Sequence, residues 1–169
     1  MNATECVIVC GVDGSPAGQR ALHWAIDEAI RRYGKVRAVT AWSWDGVEAI
    51  AAPGTPAEAL GSARQLLDAE VEQAISGMET PPVVERVCER GVPSEALCAA
   101  AADAELLVLG SHGHGAVHDK LVGSTSERAI HHAPCPVVVI PDPRHVEKNL
   151  QQAKARRSRQ QPEHPVQAL

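Results

Sequence analysis

Residues 110–127, GSHGHGAVHDKLVGSTSE, bring together what phosphate recognition needs: glycines that let the backbone come close, and hydroxyls beside a helix start. Glu105 to Leu109 reads as a short buried strand, ended by the turn at Gly110. On the far side, Ser124-Thr125-Ser126-Glu127 follows Gly123. A serine with a glutamate three residues later is a capping box, so the spacing predicts Ser124 as the N-cap and Glu127 as the third helical residue. The first N–H groups of such a helix have no internal partner and carry the positive end of its dipole, which suits an anion. Gly110, Gly113, Gly115 and Gly123 permit close approach and positive φ. The stretch is not a Walker A loop, because no Gly-Lys-Ser/Thr occurs, and it is not GxGxxG.

The spacing is Gly110, two residues, Gly113, nine residues, Gly123 and then Ser124, which resembles the ATP-binding signature of the universal stress protein family. The start of the chain agrees. Cys6-Val7-Ile8-Val9-Cys10-Gly11-Val12-Asp13-Gly14-Ser15-Pro16 reads as a buried strand, a turn and a helix start, with Ser15 as N-cap and Pro16 at the first helical position. The resemblance implies that Gly11 and Asp13, with the Ala41 backbone, hold the adenosine end of a nucleotide. It likewise implies that Gly110, Ser111, His112, Gly113, His114, Gly115, Gly123, Ser124 and Thr125 line the ribose and phosphates. On its residues alone, Asp13 before Gly-Ser-Pro also fits a turn aspartate that caps nearby N–H groups. The glycine pattern downstream shifts the reading to ligand contact.

Positioning these residues requires an alternation of strands and helices. Strands are expected at 5–12, 36–42, 83–89, 105–109 and 136–141, and helices at 16–33, 55–76, 93–102 and 125–133. The first helix carries Leu22, Ala25, Ile26, Ala29 and Ile30 on one face. The second opens with a capping box, Thr55 to Glu58, and keeps Leu60, Ala63, Leu66, Leu67, Val71, Ala74 and Ile75 at helical spacing. Ser43 to Gly54 reads as a mobile loop. This order implies an α/β fold with a mainly parallel sheet covered on both faces. The family likeness implies a doubly wound five-stranded sheet in the order 3-2-1-4-5, adenine nucleotide alpha hydrolase-like. In that order Asp13 and the glycine loop follow neighbouring strands at the point where strand order reverses.

With 169 residues, 44% of them hydrophobic, the chain can bury one sizeable core, filled by valine, alanine and leucine because it has no phenylalanine. No apolar run approaches membrane-spanning length, and Met1 to Glu5 lacks a basic leader, so a cytoplasmic protein is expected. Cys6, Cys10, Cys88, Cys98 and Cys135 form no CxxC, which favours small buried thiols over disulfides or zinc ligands. His112, His114, His118, His131 and His132 show no metal-ligand spacing, and a divalent ion, Mg2+ or Mn2+, is better carried by the phosphates of bound ATP.

Composition divides the chain into a domain at 1–142 and a basic tail at 143–169. The tail has six Lys/Arg against two Glu, a net +4, while the domain has 10 Lys/Arg against 19 Asp/Glu, a net −9. Such polarity predicts a disordered or loosely helical tail, solvated or resting on its own acidic domain. The acidic body speaks against nucleic-acid binding.

These features favour a nucleotide-dependent sensor or regulatory module in stress response. A slow ATPase, or a self-phosphorylating protein using Ser124 or Thr125, ranks lower because no residue stands out as a water-positioning base. A nucleotide-free interaction module is the third reading. The family likeness implies a homodimer through the last strand, Val137 to Ile140, with an unidentified protein partner.

Overall fold

The computed structural model describes residues 6–44, 54–113 and 122–160. Its strands are β1 (Val7–Gly11), β2 (Lys35–Trp42), β3 (Val84–Arg90), β4 (Leu106–Gly110) and β5 (Val137–Ile140). The helices among the described residues are α1 (Pro16–Arg31), α2 (Pro56–Ile75), α3 (Pro93–Ala100), α4 (Ser124–His132) and α5 (Pro143–Gln160). The five strands form one sheet in the order β3-β2-β1-β4-β5. Every pairing is parallel, with Ile8 opposite both Val36 and Leu106, and Val108 opposite Val138. The expected fold class and strand order are those observed.

Both faces of the sheet are buried, as a parallel sheet with helical crossovers requires. Side chains alternate across the pleat, so Ile8, Cys10, Val36, Ala38 and Val108 face α1 and α2, where they meet Ala21, Leu22, Ala25, Ile26, Leu67 and Val71. Val9, Val39, Leu107 and Leu109 point the other way, onto Leu97 and Ala101 at α3 and Ala129 of α4. Small and aliphatic residues fill the core in place of phenylalanine, which the chain lacks. Alanines on α1 let it lie close, and Gly34 leaves room where an added Cβ would stand 2.4 Å from the Cys6 carbonyl oxygen. Ile30, expected on the inner face, is 45% exposed: it lies at the margin of the stripe, while Ala29 beside it in the same turn is fully buried.

Helix starts follow local chemistry. Ser15 caps α1, its Oγ accepting from Gly18 N at 3.0 Å. The capping box of α2 is present: Glu58 N donates to Thr55 Oγ1 at 3.2 Å and Thr55 N donates to Glu58 Oε2 at 2.7 Å. All five cysteines are free thiols, and burial pushes every one of them up from its ordinary value. Ser43 and Trp44 begin the segment expected to be a mobile loop; its residues 45–53 lie outside the described residues. In the segment read as a basic tail, residues Pro143 to Gln160 form a helix, and 161–169 lie outside the described residues. No helix among the described residues is long and apolar enough to cross a membrane.

An ionic cluster ties the β2–β3 side of the sheet to the turn after α3. Lys35 Nζ stands 2.8 Å and Arg37 Nε 3.1 Å from the Glu85 carboxylate, while Arg37 Nη1 also donates to Asp103 Oδ1 at 2.6 Å. Lys35 first, then Arg37, hold the Glu85 carboxyl below its usual range. A lowered folded pKa stabilises above the unfolded value, and that contribution is lost as pH falls through the folded one. The difference in urea stability between wild type and Glu85→Gln is therefore expected to be present at about pH 7 and to shrink toward zero by about pH 3.

Candidate functional site

A cavity of about 450 Å3 opens at the carboxyl ends of the central strands. Its floor is Gly11, Val12 and Asp13 after β1, Val39, Thr40 and Ala41 of β2, and Leu109 and Gly110 of β4. Ser62, Ala63 and Leu66 of α2 form one wall, and Pro93 and Leu97 of α3 the other. Gly113 and the start of α4, Thr125 and Ser126, close one end. β1 and β4 are neighbours whose following helices pack on opposite faces, which is the switch point of a doubly wound sheet.

Three glycines shape this space by lacking a side chain. A Cβ on Gly11 would stand 2.8 Å from Leu109 Cδ2, and one on Gly113 would stand 2.5 Å from Asp13 Oδ2. At Gly110 the added atom would meet backbone, Ala17 C and Gly18 N, each at 2.7 Å. The strand end and the first turn of α1 thus touch main chain to main chain. Positive φ, expected as a second use of the loop glycines, is absent at Gly110, Gly113 and Gly123; it occurs at Gly14, Gly77 and Gly91.

Asp13 has the hydrogen bonds of a turn aspartate. Its Oδ1 accepts from Ser15 N at 3.0 Å and from Ser15 Oγ at 2.7 Å, the pattern of a turn aspartate. The residue is nonetheless exposed to the cavity, with Oδ2 toward Gly113. Its charge reaches inward: burial, and second to it the Asp13 carboxylate, push the Cys10 thiol far up.

The predicted capping box at α4 is not formed. Gly123, not Ser124, is the N-cap, Ser124 is the first helical residue, and the N-cap residue offers no side-chain cap among the described residues. The cause is a loop closure, because Gly123 N donates to Ser111 O at 2.6 Å and Glu127 N reaches Gly123 O at 2.9 Å, which starts the helix one residue early. Ser126 Oγ instead donates to Gly110 O at 2.7 Å and locks α4 to the end of β4. The first-turn N–H groups of α4 are consequently left without a side-chain cap beside the cavity.

Of the residues singled out in the sequence, Gly11, Asp13, Ala41, Gly110, Gly113 and Thr125 line the cavity together. Ser111 and His112 are buried behind it, and Gly123 and Ser124 stand at the helix start without lining it. His114 and Gly115 lie outside the described residues, as do His118 and Lys120. Thr40, Ser62, Leu97 and Leu109 are lining residues that the sequence did not mark as part of a site, whereas the hydroxyl of Ser126 was expected there and lines it. Thr40 is buried with Oγ1 donating to Val12 O at 2.9 Å, and nothing local distinguishes it from a core strand threonine. Ala63 and Leu66 sit in the helical stripe read as core, and a stripe facing a cavity has the same period as one facing a sheet. Among the described residues no group of three or more His, Cys, Asp or Glu is placed to hold a metal ion.

Residues 7–141 match the universal stress protein family. The chain belongs to that family. Universal stress protein Rv2005c of Mycobacterium tuberculosis is 39% identical over 137 residues, 78% of this chain and 44% of that protein, so this chain spans less than half of that relative's length. The universal stress protein UspA from Lactobacillus plantarum is 30% identical and superposes with a TM-score of 0.56, covering 82% of this chain and 99% of that one. A universal stress protein solved in complex with cAMP shares the fold at a TM-score of 0.62 and 22% identity, over 81% of this chain and 97% of that one.

The glycines of this universal stress protein domain differ in what a side chain would strike. Gly110→Ala drives a methyl into backbone and is expected to cost about 1–3 kcal/mol in urea denaturation. Gly113→Ala, exposed and opposed by the movable end of Asp13, should stay within about 0.5 kcal/mol of wild type.

Proposed function

We propose that this chain binds an adenine nucleotide in the cavity between β1 and β4 and acts as a nucleotide-dependent regulatory or sensor module in stress response. The observation that carries the reading is the combination of a cavity of about 450 Å3, an exposed carboxylate at Asp13, and an uncapped helix start at α4. That volume suits a nucleotide-sized ligand. The apolar walls of Val39, Ala63, Leu66 and Leu97 offer surface to a base. Asp13 can accept from hydroxyl or N–H groups of the nucleoside, with Gly11 and the Ala41 backbone beside it. Gly110, Gly113 and Thr125 adjoin the α4 N-terminus, where backbone N–H groups and the helix dipole favour phosphate, joined in our reading by Gly123 and Ser124. The structural neighbour in complex with cAMP supports an adenine nucleotide as the ligand class.

ATP with Mg2+ or Mn2+ on its phosphates is the nucleotide we favour, on the G-2x-G-9x-G-S spacing of the loop. Homodimerisation through β5 is part of the same proposal. β5 is the edge of the sheet, its four residues are half-buried, and an apolar edge strand calls for cover. A hydrolytic or self-phosphorylating activity at Ser124 or Thr125 stays second, since Asp13 is, among the described residues, the one titratable residue lining the cavity with Thr125, and its Oδ1 is already engaged by Ser15.

Isothermal titration with ATP and AMP tests the reading. Saturable binding is expected for wild type, with Asp13→Ala weakening it by about tenfold or more, the loss of a hydrogen bond to a charged group. Gly113→Val should abolish binding while circular dichroism stays native. Absence of binding in the wild type would overturn the proposal.

A further inference from the structure

Behind the cavity a relay of hydrogen bonds joined by one peptide link runs from the exposed Asp13 through the buried Ser15, His112 and Ser111 to the first turn of α5. It begins at Asp13, whose Oδ1 faces Ser15 Oγ at 2.7 Å. The same Ser15 hydroxyl faces a second acceptor, His112 O, at 3.1 Å. A serine hydroxyl has one proton, so Ser15 can fully satisfy only one of the two. Next along the backbone is Ser111, 4% exposed. Its N donates to Ile140 O at 2.7 Å, its carbonyl accepts from Gly123 N at 2.6 Å, and its Oγ accepts from Asp142 N at 3.0 Å and lies 3.0 Å from His112 Nδ1. Asp142 is 2% exposed and holds the start of α5: Oδ1 accepts from Arg144 N at 2.8 Å and Nε at 3.0 Å, Oδ2 accepts from Nη2 at 2.8 Å, and its carbonyl accepts from Val146 N at 3.1 Å.

Resting on the nucleotide reading of the cavity, we propose that occupancy at Asp13 is transmitted to α5 through Ser15, His112, Ser111 and Asp142. A ligand group that donates to the cavity-facing Asp13 Oδ2 draws the carboxylate's charge toward that oxygen and weakens the bond from Ser15 Oγ to Oδ1, so the Ser15 proton turns to His112 O. That bond ties residues 111–113 to the start of α1, which is itself in backbone contact with Gly110. Ser111, so held, keeps its Oγ on Asp142 N and steadies the cap of α5. The two alternative acceptors of Ser15 are the switching element that such coupling needs. The output is distinctive. α5 carries six Lys/Arg against one Glu, on a chain whose residues 1–142 have 10 Lys/Arg against 19 Asp/Glu. Nucleotide state would thereby govern the order of the chain's most basic element.

Hydrogen exchange of the full chain, read by mass spectrometry with AMP as the probe and saturation checked by calorimetry, tests this. In the wild type, AMP is expected to slow exchange at the amides of residues 142–146 by about fivefold or more. In Ser111→Ala at its own saturating AMP, that slowing should vanish. Arg144→Ala, checked for native circular dichroism because it takes the guanidinium from the buried Asp142 carboxylate, loosens the same turn and by reciprocity should weaken AMP binding several-fold. AMP binding with no change at 142–146, an equal change in Ser111→Ala, or unaltered affinity in Arg144→Ala each overturns the coupling and leaves the cavity reading standing. Failure of AMP and ATP to bind at all overturns both.

Discussion

The site depends on one constraint: β1 and β4 lie side by side, yet the chain leaves them toward opposite faces of the sheet. α1 turns to one face and α4 to the other, so no helix among the described residues covers the space above their carboxyl ends. Right-handed crossovers produce this whenever the sheet grows outward from β1 to β3 and then returns to the other side through α3. The crevice is thus a by-product of topology. What this sequence adds is the chemistry of its rim.

That chemistry requires backbones to come closer than side chains allow. Gly110 lets the end of β4 touch Ala17 and Gly18, and Gly113 lies against the Asp13 carboxylate. The contact at Gly110 fixes where the loop after β4 departs. Ser126 and Gly123 then bring α4 back to the same place, through bonds to the carbonyls of Gly110 and Ser111. A hydrogen-bonded loop closure here outweighed a local capping box worth about 1 kcal/mol. Local helix signals decide where a helix starts only when no tertiary bond competes, as at Thr55, where the predicted box formed.

Charge is distributed to the same end. Several basic side chains inside the domain are engaged on acids, as Arg37 is by Asp103 and Glu85 and Arg86 is by Asp68 and Glu72. The basic surplus sits in α5, joined to the body through the buried Asp142 and Ser111. An acidic domain bearing a basic helix at its own site's back door is an arrangement in which a small change in cap geometry alters where positive charge is presented.

The sequence alone determined the alternation of strands and helices, because periodicity and Gly/Pro punctuation are local properties. Its glycine spacing also pointed to six residues that line the cavity, among them Asp13 and Gly113, through likeness to a family rather than through any local force. Tertiary structure decided the rest. Whether Leu66 and Ala63 face a cavity or a sheet, whether Ser111 and His112 point to the site or sit behind it, and which residue begins α4 all depend on groups about 10 to 100 positions away in sequence. Burial and competing hydrogen bonds between distant segments are set only once the sheet has formed, and no local pattern encodes them.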